Sequence, residues 1–121
     1  MKKILIVEDE KILRDMYNEK FSRENFEIVL ATDADEGLEV AKKEKPDLIL
    51  LDILLPDKNG IYFLEKMKAD PQIANLRVVG FSNYDDPETR AEAKKLGIED
   101  YLIKTNYTPK ELVKKLREYF K

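Results

Sequence analysis

Short apolar runs alternate with amphipathic stretches along the whole chain. Ile4-Leu5-Ile6-Val7 is a continuous β-branched and leucine run, the pattern of a strand buried on both faces. Glu27-Ile28-Val29-Leu30-Ala31, Leu48-Ile49-Leu50-Leu51 and Val78-Val79-Gly80-Phe81 repeat it, and Tyr101-Leu102-Ile103 does so more weakly. Between these runs the period lengthens to that of a helix. Ile12, Leu13, Met16, Tyr17 and Phe21 share one face of a first helix. Ala34, Leu38 and Ala41 line a second, entered through Asp33 with Glu36 spaced for a capping box and ended before Pro46. Ile61, Leu64 and Met67 mark a third. A fourth opens at Asp86-Pro87 and stops at Gly97. The fifth takes Thr108 as cap, Pro109 as first helical residue and Glu111 to close the box, with Leu112, Val113, Leu116 and Phe120 facing inward. Five strands alternating with five helices predict an α/β fold. One doubly wound, five-stranded parallel sheet is covered on both faces through right-handed crossovers. No linker or internal repeat interrupts it, so a single domain over 1-121 is expected.

Composition narrows the chemistry. Hydrophobic residues make up 43% of the 121 positions and charged residues 39%, which suits a packed core under a charged surface rather than disorder. Cysteine and histidine are both absent. That removes disulfides, thiolate nucleophiles, Ser-His and Cys-His pairs, zinc clusters and a phosphohistidine on this chain. A net charge of −3 gives no case for nucleic-acid binding. The apolar run at the N-terminus is too short for a signal-peptide core or membrane span, so a cytoplasmic protein without membrane insertion is expected.

In an open parallel sheet the functional crevice lies outside the carboxyl ends of the strands. Glu8, Asp9 and Glu10 follow the first run, Asp52 the third, Ser82 and Asn83 the fourth, and Lys104 and Thr105 the fifth. Thr32 and Asp33 follow the second, toward the edge. Any one of these residues alone reads as a solvated helix cap. Together they put three carboxylates (Glu8, Asp9, Asp52), a hydroxyl and a lysine on one rim. Like charges so close raise one another's pKa and destabilise a fold unless something neutralises them. A divalent cation with oxygen ligands and room for waters meets that need, and the donor set suits Mg²⁺ better than a full calcium cage. The four glycines form no phosphate-cradling loop. A haloacid-dehalogenase-like phosphatase would want an aspartate two places after its nucleophile, where Leu54 stands.

With these residues in place, the chain resembles the receiver domain of two-component response regulators, in the stand-alone, chemotaxis-regulator-like form. The segment KILIVEDE matches the first strand and acidic pair, and DLILLDILLPDKNG the phosphoacceptor segment, with Pro56 and Gly60 four and eight residues after Asp52. VVGFSN supplies the hydroxyl residue Ser82, and DYLIK supplies Lys104 with Tyr101 three places before it. The resemblance implies a flavodoxin-like fold and a protein that is not a conventional enzyme but catalyses its own phosphorylation and dephosphorylation. It implies that Asp52 attacks the phosphorus of a partner's phosphohistidine to give an acyl phosphate. Asp9, Asp52 and the backbone carbonyl of Leu54 would bind Mg²⁺ directly and Glu8 through water. Lys104 and Ser82 would hold phosphoryl oxygens. The implied partners are a histidine kinase or a histidine phosphotransfer protein.

Ser82 and Tyr101 are the implied switch residues. Phosphoryl on Asp52 would draw the Ser82 hydroxyl toward it and open space for the Tyr101 ring. The change would be read on the fourth helix, fifth strand and fifth helix, from about Pro87 to Phe120. Lys94, Lys95, Glu99, Lys110 and Lys114 make that face more basic than the whole chain. An acidic partner segment, or a second copy of the chain on phosphorylation, is expected there. For a natural stand-alone chain, as opposed to an excised or engineered fragment, the end at Lys121 leaves output expected by protein contact. Two competing readings are an interaction module that keeps the fold without the switch and a small metal-dependent phosphatase. The sequence departs from the family at three places. Thr105 stands where proline usually follows the lysine in a cis peptide, and a trans bond is expected there because cis before a non-proline residue costs about 2.5–4 kcal/mol. Leu54 and Tyr84 occupy positions that influence how water reaches the phosphoryl group, and neither can orient a water as an acid or amide could. Lys58 replaces a residue that is commonly methionine.

Overall fold

The computed structural model describes all 121 residues. Strands β1 (Lys2–Val7), β2 (Phe26–Ala31), β3 (Leu48–Leu51), β4 (Val78–Ser82) and β5 (Asp100–Ile103) alternate with helices α1 (Lys11–Ser22), α2 (Ala34–Glu44), α3 (Gly60–Ala69), α4 (Pro87–Lys95) and α5 (Pro109–Glu118). All pairings are parallel, in the order β2-β1-β3-β4-β5. The predicted sheet and helix count are therefore the observed ones, with strand ends moved by one or two residues.

The period of two along each strand divides the core into two layers. Leu5, Val7, Ile49, Leu51 and Val78 face one way and pack with Ala34, Leu38 and Ala41 of α2, Phe63, Leu64 and Met67 of α3, and Ala93 of α4. Ile4, Ile6, Leu48, Leu50, Val79, Phe81 and Leu102 face the other way, against Tyr17 and Phe21 of α1 and Leu112, Val113 and Leu116 of α5. Both layers are apolar because both are covered, which is why the strands read as continuous hydrophobic runs.

Three details of the sequence reading are corrected. Ile12 is 83% exposed and Met16 also faces solvent, while Tyr17 and Phe21 are buried. Each of the two exposed residues precedes Leu13 or Tyr17 by one position, about 100° round the helix, and the stripe that meets the sheet is too narrow to include them. At α2 the Asp33 side chain accepts from the Glu36 N–H as expected, but Glu36 Oε1 accepts from the N–H of Thr32 at 2.8 Å rather than from Asp33. Phe120 lies beyond the end of α5, where its ring meets Phe26. The full capping box at Thr108 and Glu111 forms as read, and no peptide bond is cis.

The spacing from Asp52 to Gly60 has a local cause. The β3–α3 segment doubles back so that the Gly60 N–H donates to the Ile53 carbonyl at 2.9 Å. A Cβ on Gly60 would stand 2.8 Å from the Ile53 Cα and 3.2 Å from the Asp52 carbonyl oxygen. Only a residue without a side chain lets α3 begin against the strand end that carries Asp52. Gly60→Ala is expected to lower stability by about 1–3 kcal/mol, the usual range for forcing one extra carbon into a packed site. Urea denaturation checks it, and an unchanged midpoint would mean that the segment yields freely.

Candidate functional site

Parallel register brings the chemistry together. Val7 pairs with Leu51, Leu51 with Gly80 and Ser82 with Ile103, so β1, β3, β4 and β5 end side by side. The ladder continues one residue past the strands on the acidic side: the Glu8 N–H donates to the Ala31 carbonyl and the Asp52 N–H to the Val7 carbonyl, both at 3.0 Å. Glu8 and Asp52 are thus fixed by backbone pairing, while Lys104 enters from the end of β5, two strands from β3 and three from β1.

Glu8 is 1% exposed and Asp52 7%, whereas Asp9 lies open to solvent. Lys104 Nζ sits between the two buried acids, 2.5 Å from Glu8 Oε1 and 3.2 Å from Asp52 Oδ2. The outer oxygens are also satisfied within the protein. Glu8 Oε2 accepts from the Glu10 N–H and Asp52 Oδ1 from the Leu54 N–H, each at 3.1 Å. Burial pushes the Asp52 carboxyl up to about 6, with Lys104 pulling it down and Glu8 pushing it further up. Burial would lower the pKa of Lys104, but its bond to Glu8 and the charge of Asp52 hold it above its usual range. Removing ions from water is expensive unless each is paired and hydrogen-bonded, and here one ammonium serves two buried carboxylates.

One carboxylate oxygen each from Glu8, Asp9 and Asp52 lie within 4.8 Å of one another. Lys104 leaves this set of three acids with a formal surplus of two negative charges. The Leu54 carbonyl accepts no hydrogen bond from the protein. These all-oxygen donors, one face of them open at Asp9, fit a hard divalent cation that keeps several waters. The structure brings Glu8, Asp9, Asp52 and Lys104 together, with the Leu54 N–H bonded to Asp52, and Ser82 ends β4 on the same edge of the sheet.

Ser82 is buried at 1% exposure, and its Oγ accepts from the Tyr84 N–H at 3.1 Å. Tyr101 is already inward in this structure. Its ring is 8% exposed and lies against Gly80, where an added Cβ would stand 3.2 Å from the ring. The Tyr101 hydroxyl donates to the Tyr84 carbonyl, and the Arg90 guanidinium covers the ring at 4.9 Å from its centroid. Ser82 and Tyr101 therefore hold the two ends of the same residue, Tyr84.

Some residues that shape the site were not legible in the sequence. Arg14 on α1 donates to the carbonyls of Glu8 and Asp9 at 2.9 and 3.1 Å, tying down the loop that carries both acids. Lys58 pairs with Asp35 at 2.7 Å, and Asp35 also accepts from the Tyr62 hydroxyl. This anchors the β3–α3 segment to the start of α2. In a chain so rich in exposed charge, nothing separates these side chains from solvated ones until the fold is known.

A family model described as the response regulator receiver domain matches residues 4–117. The chain is 37% identical to sporulation initiation phosphotransferase F of Bacillus subtilis (strain 168), over 78% of this chain and 75% of that protein. It is 34% identical to the phosphate regulon transcriptional regulatory protein PhoB of Escherichia coli (strain K12), over 96% of this chain and 50% of that protein. It therefore spans about half the length of that regulator. Among solved structures it is similar to a CheY-like response regulator receiver domain protein of Methanospirillum hungatei JF-1, with a TM-score of 0.88 and 31% identity covering 98% of this chain and 93% of that one. The chemotaxis protein CheY4 of Vibrio cholerae gives a TM-score of 0.88 at 27% identity, covering 98% of both chains.

The raised Asp52 pKa makes a test with a definite sign. From 3.8 in an unfolded chain to about 6 in the fold, protonation is favoured by folding. The stability this group contributes is therefore complete below about pH 4 and lost as pH rises through 6. In metal-free buffer the advantage of Asp52→Asn over the parent in urea denaturation is expected to grow by about 2–3 kcal/mol between pH 4 and pH 7.5. A difference that does not change with pH would mean that Asp52 ionises as an ordinary surface acid.

Proposed function

We propose a function from one premise: this chain belongs to the response regulator receiver domain family, a phosphoryl-accepting signalling domain rather than a conventional enzyme. Asp52 is the phosphoacceptor. The observation that carries this reading is the buried Asp52 carboxylate held between Lys104 and the Leu54 N–H beside two further acids. An Asp52 oxygen attacks the phosphorus of a phosphohistidine on the partner, forming the new P–O bond as the P–N bond breaks. The electron pair leaves with the partner's imidazole, which takes up a proton. The product is an acyl phosphate, and the chain supplies the catalysis of its own modification and hydrolysis.

Asp9, Asp52 and the Leu54 carbonyl would hold Mg²⁺ directly and Glu8 through water. A bound Mg²⁺ supplies charge neutralisation for the acids and the incoming phosphoryl oxygens. The Lys104 ammonium, freed from sharing two carboxylates, is placed to donate to a phosphoryl oxygen, and the Ser82 hydroxyl to another. When Ser82 turns to the phosphoryl group it releases the Tyr84 N–H, and Tyr101 grips the carbonyl of that same residue. Tyr101 is inward in this structure, so the switch reading rests on how firmly the ring is held at the Tyr84 carbonyl. Two arrangements that differ in these contacts give a partner something to read.

The domain takes up 1-121, and the reading face is α4, β5 and α5, where Lys94, Lys95, Lys110 and Lys114 are exposed. The phosphodonor is a histidine kinase or histidine phosphotransfer protein, and the output is contact with an acidic partner segment or a second copy of the chain. No helix is long and apolar enough to cross a membrane. A cytoplasmic location fits a domain of this kind.

Acetyl phosphate with Mg²⁺ is expected to add one phosphate by mass spectrometry, and Asp52→Asn to abolish it. Label on Ser82 or Thr105 would overturn the assignment. The phosphoryl group is expected to be long-lived, because the side chains of Leu54 and Tyr84, 54% and 39% exposed, stand at the rim with nothing that orients water. The double variant Leu54→Asn with Tyr84→Glu is expected to lose phosphate several-fold faster, and an equal rate would remove the argument.

A further inference from the structure

The pairing of β4 with β5 ends at Ser82 and Ile103. The two residues that meet the phosphoryl group in the reading above, Ser82 and Lys104, therefore stand at the last rung or just past it. Beyond them the chains part, one into the loop before α4 and the other into a single 3₁₀ turn, Lys104–Asn106. One hydrogen bond reconnects them: the Thr105 N–H donates to Asn83 Oδ1 at 3.0 Å. Asn83 directly follows Ser82, and Thr105 directly follows Lys104. The bond exists because residue 105 has an N–H to give, which proline would lack.

We propose that Asn83 is a positioning residue for phosphoryl transfer, acting through Thr105 as a latch that holds the Lys104 backbone in register with Ser82. The proposal rests on the reading of Asp52 as phosphoacceptor. Glu8 and Asp52 hold the Lys104 side chain, but the backbone just after it has this one hydrogen bond to the β4 side. The closing bond of the 3₁₀ turn, from the Tyr107 N–H to the Lys104 carbonyl, is long at 3.3 Å, and the Thr105 and Asn83 side chains both lie at the surface. With the latch closed, Lys104 Nζ keeps its reach to Asp52 from a fixed backbone. With it open, the long lysine side chain must search from a mobile one, and the donor is in place for a smaller fraction of the time. The Asn83 side chain makes no hydrogen bond to Asp52 or to the acids around it, and its partner is the N–H that follows Lys104.

The test is a double-mutant cycle of phosphorylation rate, with acetyl phosphate and Mg²⁺ as the probe. Asn83→Ala in the parent is expected to slow labelling of Asp52 about three- to tenfold, the population change that one hydrogen bond of ordinary net strength supports. The Mg²⁺ affinity should stay at the parent value, and the melting temperature should fall by only a few degrees, as the loss of one exposed hydrogen bond requires. In the Lys104→Ala background the same substitution is expected to have no effect, because the group it positions is gone. Hydrogen exchange supplies the second measurement: the Thr105 amide is slowed in the parent and exchanges faster in Asn83→Ala. An equal rate loss in both backgrounds would show general loosening and overturn the latch. A parent-like rate in Asn83→Ala, or an unprotected Thr105 amide in the parent, would do the same while leaving Asp52 as the labelled residue. A parent that takes up no phosphate would overturn the phosphoacceptor reading and the latch together.

Discussion

One ammonium between two buried carboxylates holds the site together. Glu8 and Asp52 have almost no contact with water, and Lys104 Nζ is the only cation bonded to either. A buried charge without a partner is strongly destabilising, so the lysine offsets much of the cost of placing both acids at the strand ends. The same lysine cannot neutralise both acids and Asp9 as well. The remaining negative charge makes the pocket attractive to a hard cation and then, with the cation bound, to an anionic phosphoryl group. Stability and function are thus opposed in the metal-free protein, and the raised Asp52 pKa is the expression of that opposition.

The sheet makes this arrangement possible. Parallel pairing extends past β1 and β3 to Glu8 and Asp52, and both acids are held by backbone bonds rather than by their own side-chain rotamers. Around them the loops are tied by side chains from neighbouring elements. Arg14 grips the carbonyls of the acidic loop, Lys58 and Asp35 join the β3–α3 segment to α2, and Asn83 joins the two loops that carry Ser82 and Lys104. Tyr84 is the place where the site meets the outer face, since Ser82 holds its N–H and Tyr101 its carbonyl. Ser82 and a ring packed under Arg90 of α4 are thus joined through a single residue.

Much of this could be read from the chain. Continuous apolar runs located all five strands because both sheet faces are covered, and the residues after each run identified the rim because function collects at strand carboxyl ends. The reading failed where a pattern is degenerate. Ile12 and Met16 fit a helical stripe one position wider than the one that packs. Glu36 meets a cap N–H one residue earlier than the box spacing implies. The Arg14, Lys58 and Asn83 contacts depend on which loops come together in space, and no local spacing encodes that. Tyr101 is legible as a residue but its inward placement is not, since that depends on the room that Gly80 leaves across the β4–β5 pairing.

A divalent cation held by Asp52 would draw off its proton, so cation binding and the ionisation of this buried acid would be one linked equilibrium. Isothermal titration of the protein with Mg²⁺ at pH 6, in buffers of different ionisation enthalpy, measures the protons exchanged on binding. Release of about half a proton per Mg²⁺ is expected near pH 6, close to the raised Asp52 pKa, falling toward zero at pH 8. Binding at pH 6 with no proton release, or no binding at either pH, would contradict it.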